Sequence, residues 1–229
     1  MTMSLKNRWL VRLSFLCFMF YVYFTISSHN GVYSFLLLNT LLGYIPIELA
    51  IQIKPHQNNF SLLFLTVLWI LFYPNAPYVL TDLFHLAMLD PYSSATGLME
   101  FNLHLWLNFT NLVASALACS LMGLWSLEHV ANSILVHFNL WTRINKNILI
   151  FALILISSVG IYIGRFLRLH TAYLFLSPRW AMEQLLAMWN PRMLIFILFM
   201  TIIQMIMWVT FTVARSSLNE TEKNLLKKG

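Results

Sequence analysis

Asp82 and His85 lie three residues apart in the run Phe72-Tyr73-Pro74-Asn75-Ala76-Pro77-Tyr78-Val79-Leu80-Thr81-Asp82-Leu83-Phe84-His85, which carries two prolines. A carboxylate beside an imidazole orients the ring and prepares it for proton transfer near neutral pH. Glu100 and His104 form a second pair, four residues apart. Two carboxylates with two histidines are also a donor set for zinc, manganese or iron, although neither pair matches a ligand motif and no cofactor is implied. The plainer use is structural: Asp82 pairs with an arginine and His85 lies at a membrane interface. Cys17 and Cys119 sit inside apolar runs with no C-x-x-C spacing, so they read as small packing residues.

Arginines make the second group. Ser157-Ser158-Val159-Gly160-Ile161-Tyr162-Ile163-Gly164-Arg165-Phe166-Leu167-Arg168 ends an apolar run with two basic side chains. Gly160 and Gly164 have the small-xxx-small spacing that lets helices approach closely. Ser158, Tyr162 and Arg165 share a stripe at offsets of four and seven. A held arginine binds carboxylate or phosphate with both prongs of its fork. Asp82 is the internal candidate and a lipid phosphate the external one. From Pro74 to Asn102 there is no Lys or Arg, only Asp82, Asp90 and Glu100; from Arg165 to Arg192 there are four arginines against Glu183. The two stretches therefore complement one another, and Asn75, Tyr78, Asp82, His85, Arg165 and Arg168 are expected to form one polar site.

The elements that must position these residues are membrane helices. The 229-residue chain is 59% hydrophobic and 10% charged, far below the roughly 25% charge of soluble domains. Its net charge of +6 comes from Lys and Arg at the ends of apolar runs, which excludes a soluble basic face for nucleic acid. The first run has a basic front end, but it is too long for a signal peptide and no small-residue cleavage site follows. A span needs about 20 apolar residues. The sequence predicts an all-α, polytopic transmembrane bundle of about six spans, near 9–27, 32–51, 60–73, 103–127, 148–167 and 193–214, in one domain covering 1–229. The third is short and broken by the prolines. With six spans and a cytoplasmic N-terminus, the inside holds Lys6, Arg8, Arg12, Lys54, Arg143, Lys146, Arg215, Lys223, Lys227 and Lys228. The outside then holds only Arg165, Arg168, Arg179 and Arg192. That bias sets both termini inside and puts the acidic and basic stretches together on the outer face.

Two short interfacial helices are expected there. One, near 77–89, has Asn75 as cap and Ala76 pushed out of the helical region by Pro77. It would bury Val79, Leu80, Leu83, Phe84 and Ala87 and present Tyr78, Asp82 and His85, with the Asp82 carboxylate holding the His85 ring. The other, near 178–189, pairs Arg179 with Glu183 opposite an apolar face of Ala181, Met182, Leu185, Leu186 and Trp189. His104, Asn108, Asn111 and Ser115 form a polar stripe that must face other helices or a cavity. Glu48 and Gln204 are isolated polar residues, read as making local hydrogen bonds.

The two blocks Tyr73-Pro74-Asn75-Ala76-Pro77-Tyr78 with Thr81-Asp82-Leu83-Phe84-His85, and Gly160-Ile161-Tyr162-Ile163-Gly164-Arg165-Phe166-Leu167-Arg168, resemble the signature of an uncharacterised bacterial membrane family, domain of unknown function 1361. The resemblance implies a bacterial multi-pass membrane protein and supplies no activity. The family's second block continues with an Asn-Ser-Trp-Asp-like run, whereas this chain reads His170-Thr171-Ala172-Tyr173, so no acidic role is carried over there. Three functions fit the residues. One is a cytoplasmic-membrane protein whose outer polar site locks the fold or binds an anionic headgroup or a partner membrane protein. Another is an enzyme using Asp82 and His85 on a lipid-linked substrate. The last is a small-solute transporter, which the absence of an internal repeat disfavours.

Overall fold

A computed structural model describes residues 3–27, 35–88, 91–92, 96–99, 101–168 and 177–226. Asp90, Glu100 and His170–Tyr173 lie outside the described residues. Helices dominate: α1 (Leu5–Ser27), α2 (Phe35–Gln52), α3 (Asn59–Phe72), α4 (Asn75–Tyr78), a 3-10 segment (Val79–Met88), α5 (Leu103–His137), α6 (Arg143–Tyr162), a π turn (Ile163–Leu167), α7 (Pro178–Ala187) and α8 (Pro191–Leu226). Among the described residues the one β contact is an isolated bridge between Tyr92 and Met99. Among the described residues, five stretches are long and apolar enough to cross a membrane: Phe35–Gln52, Asn59–Met88, Leu103–His137, Arg143–Leu167 and Pro191–Leu218. They carry the second to sixth expected spans. The first, near 9–27, falls in α1 and outside that set.

Side chains cap several helix starts. Asn58 accepts from the Ser61 amide at 2.7 Å, Asn102 from His104 at 2.9 Å and Thr142 from Asn145 at 3.0 Å. Each satisfies an orphan donor of a first turn. Asn190 does the same for Met193 at 3.0 Å, with Pro191 opening α8. α5 stops where Asn139 turns left-handed (φ 56°) and the Leu140 amide reaches back to the Leu135 carbonyl at 2.8 Å. α5 was expected to end near Leu127. At 35 residues it is about 52 Å long, well beyond the roughly 30 Å hydrocarbon core.

The chain divides into two compact units, Met1–Trp141 and Thr142–Gly229. In the first, α2 touches α1, α3, α4, α5 and the 3-10 segment. Its core joins Phe15, Ile47, Val79, Ala116 and Cys119, with a second cluster of Val22, Leu36 and Leu112 under Leu83 and Leu86. In lipid, packing and internal hydrogen bonds must supply what water exclusion supplies elsewhere. Two glycines permit that packing: a Cβ on Gly43 would meet Cys119 Sγ at 2.9 Å, and one on Gly123 would meet the Ala76 Cβ at 2.8 Å. In the second unit α6 packs on α8. Met188, Met193 and Ile197 form a core against Val159, Tyr162, Ile163, Leu167 and Leu185. A polar knot lies within this pair: the Ser158 hydroxyl receives Thr201 and Gln204, both at 3.0 Å, and donates to the Ile154 carbonyl at 3.0 Å. Gln204 thus makes the expected local bond, to the Met200 carbonyl at 3.4 Å, and a second one between helices.

Candidate functional site

The proline segment keeps its helical sense throughout. Tyr73 and Pro74 both adopt right-handed helical angles, and Ala76 lies inside α4, so Pro77 does not displace it as expected. Asn75 does not cap the helix that follows: its amide donates back to the Phe72 carbonyl at 3.0 Å, closing α3. What changes after Tyr78 is the winding. The segment Val79–Met88 is a 3-10 helix instead of the α-helix anticipated over 77–89. With three residues per turn, positions three apart eclipse, so Val79, Asp82 and His85 form one edge. That edge turns inward. Val79 and Asp82 are each 1% exposed, whereas Phe84 is 77% exposed. The anticipated faces rested on a period of 3.6, and the shorter period moves Asp82 from the presented side to the buried one.

Inside, the Asp82 carboxylate accepts a hydrogen bond from the Asn39 amide of α2 at 2.8 Å. His85 does not meet that carboxylate. Its Nδ1 faces the Asp82 main-chain carbonyl at 2.9 Å, and its ring stacks on Phe35 with centroids 4.1 Å apart. The ring thus rests on the Asp82 main chain, three residues back within the 3-10 segment, and not on its carboxylate as expected. Nearby, Thr40 and Ser115 share a hydrogen bond at 2.6 Å. Ser115 and Asn111 of the polar stripe are buried, while His104 at the start of α5 is exposed. Tyr78 is half-buried. Among the described residues no three His, Cys, Asp or Glu side chains gather as a metal site.

Arg165 and Arg168 belong to the other unit. There α6 loosens into the π turn, and Arg168 closes it in a left-handed conformation (φ 50°, ψ 29°). Glycine or asparagine adopts that region most readily. Arg165 is half-buried and Arg168 exposed. Tyr162, Phe166 and Phe196 buttress the turn with ring centroids 4.9 to 5.7 Å apart. Because the Met188, Met193 and Ile197 core packs against this end of α6, α7 and the start of α8 share it. They add Arg179, which pairs with Glu183 at 3.3 Å as expected, and the exposed Arg192. Trp180, Met182, Leu186 and Trp189 are exposed beside them.

Two further polar clusters had no clear sequence signal. Glu48 of α2 receives a two-pronged hydrogen bond from Arg12 of α1, at 2.6 and 3.0 Å, and a third from Tyr44 at 2.8 Å. It is no isolated carboxylate. Its spacing to Tyr44, four residues back, is the one cue the sequence held. On α5, Glu128 and His129 are buried, and His129 stacks on Trp125 while Nε2 faces the Ile53 carbonyl at 2.9 Å. His137 contacts the same α2–α3 loop.

No curated protein and no solved structure matches the chain. Residues 38–207, which hold both the proline segment and the arginine turn, match the family described as a protein of unknown function (DUF1361). The protein belongs to that family.

Proposed function

We propose that this is a six-span protein of the bacterial cytoplasmic membrane, both termini inside, whose C-terminal unit holds a phosphate-bearing anionic headgroup at the outer surface. α1 supplies the sixth span: 23 residues reach about 34 Å, Arg8 lies in its first turn, and Glu48 neutralises Arg12 deeper in the helix. The observation that carries the headgroup reading is the arginine placed at the left-handed end of the π turn. A π turn and a left-handed non-glycine residue are both costly, and both recur where function requires a particular placement. Here they set Arg165 and Arg168 among interfacial aromatics, at an end that also has Arg192. Tryptophan and tyrosine mark headgroup depth, and arginine forks suit phosphate. The buried Asn39–Asp82 bond and the His85–Phe35 stack support a locking role for the Asn75–Tyr78–Asp82–His85 segment.

Lipid retention on the full chain tests the reading. Protein purified in mild detergent is mixed with phosphatidylglycerol or phosphatidylcholine, and bound lipid is counted by native mass spectrometry. The Arg168→Glu, Arg192→Glu double variant is expected to lose about tenfold in phosphatidylglycerol retained, or more, with phosphatidylcholine unchanged. Equal retention of phosphatidylglycerol by a variant that melts like the parent would sink the proposal.

A further inference from the structure

The arginines at the end of the C-terminal unit are not equally engaged. Arg179 is taken by Glu183 at 3.3 Å. Arg168 and Arg192 are exposed, and among the described residues neither has a carboxylate partner. The distribution of acids explains this. Between Thr142 and Asn219, Glu183 is the one acidic residue. Glu220 and Glu222 follow in α8, about 42 Å along the helix from Arg192. Packing meanwhile keeps the two arginines together. Leu167 packs against the core that holds Met193. Arg168 follows the first and Arg192 precedes the second, so both leave that core at the same end of the unit.

Two neighbouring guanidinium groups repel each other. A phosphodiester, with a single negative charge and two free oxygens, balances only one of them. A phosphomonoester or a diphosphate terminus carries close to two negative charges or more near neutral pH and at least three free oxygens, enough to receive two arginine forks. We propose that Arg168 and Arg192 together select a doubly charged phosphate, the terminus of a phosphomonoester or a diphosphate, over the singly charged phosphodiester of ordinary headgroups. The selection rests on the headgroup reading of the same arginine turn and narrows its ligand class. Phe166, two positions before Arg168, and Trp189, three before Arg192, are each 57% exposed. They set apolar surface beside the charges, which suits a lipid that carries the phosphate.

The test offers the full chain in mild detergent either phosphatidic acid or phosphatidylmethanol at pH 8 and counts retained lipid by native mass spectrometry. The two lipids differ by one methyl group, which blocks the second ionisation. Phosphatidic acid is expected to be retained about tenfold more than phosphatidylmethanol. Arg168→Gln and Arg192→Gln should each lower phosphatidic acid to the phosphatidylmethanol level, in variants that melt like the parent. Displacement of phosphatidic acid by excess inorganic diphosphate supports a free phosphate compound as the ligand, and failure to displace it supports a lipid. Equal retention of the two lipids by the parent, both above phosphatidylcholine, overturns the doubly charged ligand and leaves the headgroup reading standing. Retention of both at the phosphatidylcholine level overturns the two together. A tenfold preference that survives in either Gln variant overturns the assignment to this pair.

Discussion

Asp82 and Arg168 both lie where a regular helix gives way to another winding, yet they end in opposite surroundings. After Tyr78 the helix tightens into the 3-10 segment, and the shorter period rolls Asp82 into the bundle against Asn39. After Tyr162 it loosens into a π turn, and the left-handed Arg168 that closes it is exposed. The contrast extends through each unit. In the first, Glu48 and His129 are taken up by bonds to α1 and to the α2–α3 loop. In the second, the buried polar groups among the described residues are the uncharged Ser157, Ser158, Thr201 and Gln204, and Arg165, Arg168, Arg179 and Arg192 gather at one end. A change of pitch thus acts as a positioning device, and its sign decides whether a charge is buried in the fold, like Asp82, or left exposed, like Arg168.

Four substitutions can break or sharpen this contrast. Asp82→Ala deprives the Asn39 amide of its acceptor inside the bundle. It should cost about 3 kcal/mol of stability, read by unfolding in micelles, and a loss no larger than that from Arg168→Ala would erase the distinction. Gly123→Ala should cost about 2 kcal/mol by overpacking, because the new Cβ meets Ala76 at 2.8 Å. Retained stability there would show that α4 can slide on α5 and that the 3-10 segment is not rigidly seated. Ser158→Ala leaves Thr201 and Gln204 without their shared acceptor and should cost about 1–2 kcal/mol. A neutral result would make the second unit's cohesion one of apolar packing alone. The smallest effect belongs to Arg168→Gly, expected within about 0.5 kcal/mol of the parent, because glycine suits the left-handed angle. Phosphatidylglycerol retention should nevertheless fall in this variant. If stability falls while retention holds, the arginine is structural.

Much of the architecture was legible from the residues. Long apolar runs predict membrane helices because unsatisfied backbone groups are too costly in hydrocarbon. The second to sixth runs reappear as α2, the Asn59–Met88 stretch, α5, the Arg143–Leu167 stretch and α8. Local capping was partly legible: Pro178 opens α7 and Asn190-Pro191 opens α8, but Asn75 caps backwards onto Phe72. The third span shows why. Proline restricts angles and removes a donor, but when neighbouring turns already fit the αR region it does not end the helical course.

The candidate site was legible as a list of residues and not as an arrangement. Sequence alone determined that Asp82, His85, Arg165 and Arg168 stand out, because ionisable groups are rare in apolar segments and each needs a reason. It also determined the helical class, through run length and the scarcity of charge. Only the tertiary structure decided which way those groups turn. The face that a residue occupies depends on the winding of its turn, and the difference between three and 3.6 residues per turn carries Asp82 from the presented side to the buried one. Partners such as Asn39 for Asp82, Arg12 for Glu48 and the Pro55 carbonyl for His137 lie 43, 36 and 82 positions away. No local spacing encodes those distances; they are set when helices pack.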